Sequence, residues 1–187
     1  MAEPATKPLE NLSPAEYLEG EKLTTVKHEY VNGNVYAMGG ASDKHGLISM
    51  NLASALSIHL PDRCEVFMSD MKLQTRMADE QCYYYPDILV SCDASDNHPY
   101  YRQKPVLIIE VLSPSTERID RTEKRERYQA IPELQEYVLV AQDFPKVEIF
   151  RRNQAWRGES YFIEHSFQLE SVDMTFSLTD VYRRIKY

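Results

Sequence analysis

The chain has 187 residues, 43% hydrophobic and 27% charged, with 29 acidic against 21 basic residues and a formal charge of -8. That length suits one domain, which buries roughly 70% of its unfolded surface without needing a metal or a disulfide. The composition excludes a disordered tail, and the acidic balance speaks against a nonspecific nucleic-acid coat, which would be basic.

Residues 1–12 read as a loose polar arm and 13–187 as a single domain. Ser13-Pro14 with Glu16 in the first turn starts a short helix that ends near Gly20. His28–Val31 and Asn34–Met38 flank Asn32-Gly33, the strongest short signal for a hairpin. Residues 42–60 form the main helix, with Leu47, Ile48, Met50, Leu52, Ala55, Leu56 and Leu60 on one broad apolar face and Pro61 as its stop. Strands are expected at Cys64–Met68, Met71–Met77 and Tyr83–Val90, then a polar loop over 93–104. Pro105–Leu112, PVLIIEVL, is almost unbroken apolar sequence, as in a central strand covered on both faces. A charged helix follows from about Glu117 to Ala130. Strands at Glu136–Val140 and Lys146–Phe150, a weaker one near Tyr161–Glu164 and a short helix near Leu178–Ile185 complete an α/β (α+β) mixed sheet flanked by helices.

Cys64, Cys82 and Cys92 are too few and too odd in number for a disulfide framework, and none sits in a C-x-x-C pair. A reducing compartment is the simplest reading. No run approaches the ~18 apolar residues of a membrane span, and MAEPATKPLE has no apolar core of the signal-peptide type. The expectation is a soluble, cytoplasmic protein.

Two carboxylates stand out. Glu110 interrupts the most apolar strand, where an unpaired charge is costly; the bland alternative puts it at a wet strand end. Asp87 follows Pro86 at a strand start, where a turn aspartate is ordinary. Together they sit on apolar strands 23 positions apart, and paired carboxylates with open water positions suit magnesium. Asp120, Lys124 and Tyr128 are spaced to share one helix face, either returning Lys124 over the carboxylates or forming a solvated i,i+4 pair. Five bases (Arg118, Arg121, Lys124, Arg125, Arg127) against four acids on this helix offer only a modest basic strip. Tyr83, Tyr84 and Tyr85 suit base stacking or packing equally. Asp70 and Lys72 border the site or form an exposed pair, and Trp156 is assigned to packing. No P-loop and no Gly-x-Ser-x-Gly are present.

YYYPDILV at 83–90, PVLIIEVLSPST at 105–116 and DRTEKRERY at 120–128 resemble the bacterial restriction-endonuclease family of the PD-(D/E)xK nuclease superfamily. HEYVNGNVYAMGGASDKH at 28–45 resembles its N-terminal signature, and the similarity runs from about Ser13 to Phe150. The resemblance implies a restriction-endonuclease-like fold and a metal-dependent endonuclease acting on DNA with Mg2+, Mn2+ being a possible substitute. It implies Asp87 and Glu110 as metal ligands with the Val111 carbonyl as a third, Glu29 as an assisting acid and Lys124 as the catalytic lysine. His45 and Tyr128 are candidate substrate contacts. The superfamily lysine lies two residues after the motif acid, where this chain has Leu112, so the resemblance places its role on Lys124. The competing expectation is an inactive nuclease-fold binding or regulatory module. Double-strand cutting further implies a homodimer.

Overall fold

The structure, a computed structural model, describes residues 11–187. Most of the expected arm therefore lies outside the described residues. Leu12 itself is tied down: its N–H donates to the Gly33 carbonyl and its own carbonyl accepts from the Tyr30 hydroxyl.

Helix α1 (Pro14–Glu21) starts on a capping box in which Ser13 and Glu16 satisfy each other's main-chain N–H groups. Strands β1 (His28–Val31) and β2 (Asn34–Ala37) pair antiparallel about Asn32 and Gly33, both with positive φ, as a tight hairpin turn requires. Helix α2 spans Asp43–His59, with Ser42 capping the His45 N–H. Its buried face is Ile48, Ser49, Leu52, Ala53 and Leu56, whereas Met50, expected on the apolar face, is 55% exposed.

Strands β3 (Glu65–Met68), β4 (Lys72–Met77), β5 (Glu80–Tyr84), β6 (Ile88–Ser91), β7 (Tyr101–Arg102) and β8 (Pro105–Leu112) follow. The run expected as one strand over 83–90 is two, in different sheets. Pro86, with no N–H to offer, falls in the break, and Tyr85–Asp87 carry the chain from one sheet to the other. The loop expected at 93–104 holds the short β7, paired parallel to β4.

The charged helix runs as α3 (Glu117–Ile119), a π-helical stretch (Asp120–Lys124) and α4 (Arg125–Gln129). Then come β9 (Glu136–Ala141), β10 (Lys146–Arg151), β11 (Gly158–Phe162), a hairpin of β12 (Ser166–Leu169) and β13 (Met174–Ser177), and α5 (Leu178–Val181). The β12–β13 hairpin carries no turn pair of the Asn-Gly kind and went unread in the sequence.

Among the described residues three sheets result: β2-β1-β5-β4-β7, β11-β10-β9-β8-β6-β3 and β12-β13. Strand β8 is central, antiparallel to β6 and parallel to β9. Its alternate residues enter two cores. Leu107, Ile109 and Val111 pack with α2, while Ile108 and Leu112 pack with Tyr128 and Tyr137. Glu110 belongs by period to the second face, beneath the π-helical stretch.

The cysteine reading needs correction. Cys64 and Cys92 are bonded to each other, joining the chain before β3 to the residue after β6, and Cys82 is free and buried. The β3–β6 pairing, Glu65 opposite Ser91, brings the two sulfurs together, a proximity that the odd count concealed. Thiol titration of the unreduced, unfolded chain is expected to find one thiol; three would refute the bridge. Reduction is expected to lower stability by roughly 3 kcal/mol, the entropy of a loop of this size.

Candidate active site

Four segments converge where the two large sheets meet. Glu29 comes from β1 in the five-stranded sheet, and Asp87 from the crossing between sheets. Glu110 comes from β8 in the six-stranded sheet, and Asp120 and Lys124 from the helix that covers its face.

The links are direct. The Asp87 main-chain N–H donates to Glu110 Oε2 at 3.1 Å, and the Val111 N–H donates to Asp87 Oδ2 at 2.7 Å. Both carboxyls are thereby held by the backbone of the other's strand. The Tyr128 hydroxyl donates to Glu110 Oε1 at 3.1 Å, and Lys124 Nζ approaches the same oxygen at 3.5 Å. Lys124 Nζ also lies 3.0 Å from Glu29 Oε1 and 3.3 Å from Asp120 Oδ1. His45 Nε2 is 3.0 Å from Asp87 Oδ2, aimed there by its place in the first turn of α2.

Burial decides the electrostatics. Glu110 is 3% exposed, Lys124 5% and Asp120 2%. Burial works against the Lys124 ammonium, yet Glu110, Glu29 and Asp120 outweigh it and hold the lysine charged well above its ordinary range. One ammonium cannot neutralise three carboxylates. Burial therefore pushes Glu110 well up, Lys124 opposing and Asp120 and Asp87 adding to the rise, and burial likewise raises Asp120. For His45, burial disfavours the charged ring, but the hydrogen bond and charge of Asp87, with Asp120 and the Val111 main chain, raise it overall. Four carboxylates thus face one ammonium and one imidazole, with Glu110, Asp120 and Lys124 buried and Glu29, Asp87 and His45 part-exposed.

The structure brings together Asp87, Glu110, Lys124, Glu29, Val111, His45 and Tyr128. Tyr128, a candidate substrate contact, is fully buried and its hydroxyl donates to Glu110. Leu112, where the superfamily carries lysine, is packed in the apolar core. Asp70 stands exposed in a pair with Lys27, and no ion pair or side-chain hydrogen bond ties it to the clustered carboxylates among the described residues. Tyr83, Tyr84 and Tyr85 are buried packing residues rather than stacking platforms. Trp156 packs at the edge of the second core under Arg152. Most of the basic strip on the charged helix is spent internally: Arg118 pairs with Glu123, Arg121 with Glu117 and Glu148, and Arg127 with Glu80, while Arg125 lies over the Phe150 ring.

Asp120 is the participant that the sequence underrated. Its i,i+4 spacing to Lys124 suited a surface pair equally well. The π-helical stretch, a common feature of functional sites, turns both side chains inward. The Tyr137 hydroxyl fixes the stretch by donating to the Asp120 carbonyl at 2.9 Å.

Sheet order and site together define a restriction-endonuclease-like nuclease fold. The family profile Uma2, described as "Putative restriction endonuclease", matches residues 14–179, and the chain belongs to that family. An uncharacterized protein of Synechocystis sp., slr1290, is 36% identical over 191 residues, covering 100% of both chains. A second from the same organism, sll1609, is 36% identical over 167 residues, covering 83% of this chain and 93% of its own. A crystal structure from Anabaena variabilis, titled a "putative nuclease belonging to DUF820", superposes with a TM-score of 0.67 at 19% identity. It covers 85% of this chain and 91% of that one, a likeness of fold.

Lys124→Met leaves the buried carboxylates without their shared cation and is expected to cost about 3–5 kcal/mol near neutral pH. In the variant, Glu110 and Asp120 keep protons that the unfolded chain has already lost. Stability therefore falls as pH rises from the ordinary carboxylate range through the raised folded-state values. Urea unfolding at about pH 5 and about pH 7 checks this: a larger deficit is expected at the higher pH, and equal deficits contradict the shared cluster.

Proposed function

We propose that the chain is a metal-dependent DNA endonuclease that hydrolyses phosphodiester bonds with an activated water. One observation carries the reading: Asp87, Glu110 and Lys124, spread over 37 positions, form a single linked cluster with the lysine buried.

Among the described residues no three Asp, Glu, His or Cys side chains make a ready cation cage. Magnesium needs only one or two carboxylates and keeps most of its waters. The donor set fits such a hard cation. Asp87 and Glu110 supply carboxylates, while Glu29 Oε1 and Asp120 Oδ1 are further carboxylate oxygens whose partner is the shared Lys124 ammonium, at 3.0 and 3.3 Å. Asp87 and Glu110 would hold the ion, joined by the Val111 carbonyl, with Glu29 beside them. When bound, Mg2+ or its substitute Mn2+ would polarise a phosphoryl oxygen and lower the pKa of a water.

The chain's own residues do the rest. The Val111 N–H and the Tyr128 hydroxyl fix the two carboxylates, so their geometry is set before substrate arrives. Lys124 orients the attacking water or faces the charge that grows on the phosphate. His45, at the start of α2, offers a donor to a phosphate oxygen. We infer that the enzyme acts on its DNA as a homodimer.

A second reading, a nuclease-fold binding module without catalysis, draws on Leu112 and on the three carboxylates that already occupy the Lys124 ammonium. Calorimetry separates them, since millimolar Mg2+ or Mn2+ that fails to bind favours the module.

Plasmid cleavage is expected with Mg2+ or Mn2+. Asp87→Ala and Glu110→Ala should each lower it by on the order of a hundredfold or more. Metal-dependent cutting that survives both substitutions would sink the assignment.

A further inference from the structure

A cavity of about 290 Å³ lies between the end of α1 and the loop before β7, lined by Leu18, Lys22, Lys72, His98, Pro99 and Tyr100 among others. It shares no residue with the carboxylate cluster. Lys72 is its unusual member. The residue is 8% exposed, yet among the described residues its ammonium has no hydrogen bond and no ion pair. Its one recorded contact is the Tyr85 ring, 5.0 Å from Nζ to the centroid. The ammonium therefore opens into the cavity with a free donor shell, feeling Glu21 only through charge and not through a hydrogen bond.

The surrounding groups explain why nothing local serves. Glu21 also lines the cavity, but its carboxylate already accepts from the His28 N–H and the Tyr85 hydroxyl and meets His28 Nδ1. Lys27, over the other part of the same ring, is engaged by Asp70 and the Ser69 carbonyl. Lys22 stands over the Tyr100 ring at 5.1 Å and is paired only with the exposed Glu19, a contact of small worth. The Tyr100 N–H donates to His98 Nδ1, which leaves the ring's proton on Nε2 as a further donor. Lys72, Lys22 and His98 thus supply donors to one cavity, whose remaining wall is Leu18, Pro99, the half-exposed ring of Tyr100 and two carboxylates, Glu19 and Glu21, that other donors already hold.

Several donors beside a flat apolar wall suit a multi-oxygen anion attached to a planar group. We propose that this cavity binds a nucleoside monophosphate unit, with its phosphate on Lys72 and its base against Tyr100. The volume sits at the low end of ligand pockets, roughly 300–1,000 Å³, and suits one nucleotide rather than a strand running through. The unit is either a free nucleotide or the phosphorylated end of a strand. Tyr85 lies two residues before Asp87, and His28 one before Glu29, so a strand end seated here would lie close to the carboxylate cluster. That placement rests on the nuclease reading; nucleotide binding does not.

The experiment is titration of the full chain with deoxyadenosine 5′-monophosphate in excess chelator, read by calorimetry. Submillimolar binding is expected, weakened about tenfold or more by Lys72→Met, which keeps the buried stem and removes the charge. His98→Ala, at the cavity rim, should weaken it too and serves if the Lys72 variant does not fold. No binding by the wild type at several millimolar, or unchanged binding in whichever of these variants fold, overturns the site. Inorganic phosphate binding as tightly as the nucleotide also overturns it. Competition by a 5′-phosphorylated but not a 5′-hydroxyl oligonucleotide identifies the strand end; competition by neither identifies the free nucleotide. Cleavage does not enter the readout, so an inactive nuclease that binds the nucleotide leaves this proposal standing.

Discussion

One ammonium holds the centre of the molecule together. Lys124 sits within 3.5 Å of three carboxylates that arise from a hairpin strand, a central strand and its own helix. Each of those carboxylates is tolerable in its buried position only because the lysine is there, and the lysine is tolerable only because they are. The interaction therefore couples the two large sheets to the helix that covers them. It acts as a constraint on register as much as a contribution to stability. A one-residue slip of β8 would turn Glu110 toward the α2 core and leave Lys124 facing apolar side chains.

The break at Pro86 does comparable work by a different route. Were 83–90 one strand, Asp87 would lie in a ladder within a single sheet. The chain instead leaves the five-stranded sheet at Tyr84 and joins the six-stranded sheet at Ile88. Asp87 falls in the gap, where its own N–H is free to reach Glu110 and its carboxylate is free to accept from Val111. A local deficit of backbone donors has become the hinge on which the site is assembled.

These features differ in how visible they are in the sequence. The hairpin at Asn32-Gly33, helix α2 and strand β8 follow from local chemistry: turn residues, an apolar face, an apolar run. The same run left Glu110 either buried or at a wet strand end, and the resemblance of three ordered segments set Asp87 and Lys124 beside it. What stayed hidden depends on contacts distant in sequence. The Cys64–Cys92 bridge needs β3 and β6 to be neighbours. The inward turn of Asp120 needs a π-helical stretch that no spacing rule foretells, because an i,i+4 acid–base pair looks alike on a wet face and in a core. Met50 reads as core by composition and is left outside because the sheet covers only a narrower stripe of α2. The β12–β13 hairpin alternates strictly in Ser166-Phe167-Gln168-Leu169 and Met174-Thr175-Phe176-Ser177, but four residues a side without an Asn-Gly turn are too short to announce themselves.

The charge of -8 takes on a different meaning once it is located. Part of it is Glu29, Asp87, Glu110 and Asp120, clustered around one lysine and one histidine, where a bound divalent cation would compensate it. Three of the four arginines of the charged helix do not balance it toward solvent, since they pair with Glu117, Glu123, Glu148 and Glu80, while Arg125 lies over the Phe150 ring. The helix that covers the carboxylate cluster therefore spends most of its positive charge on neighbouring acids, and the excess of acid beneath it is answered locally by Lys124 and His45.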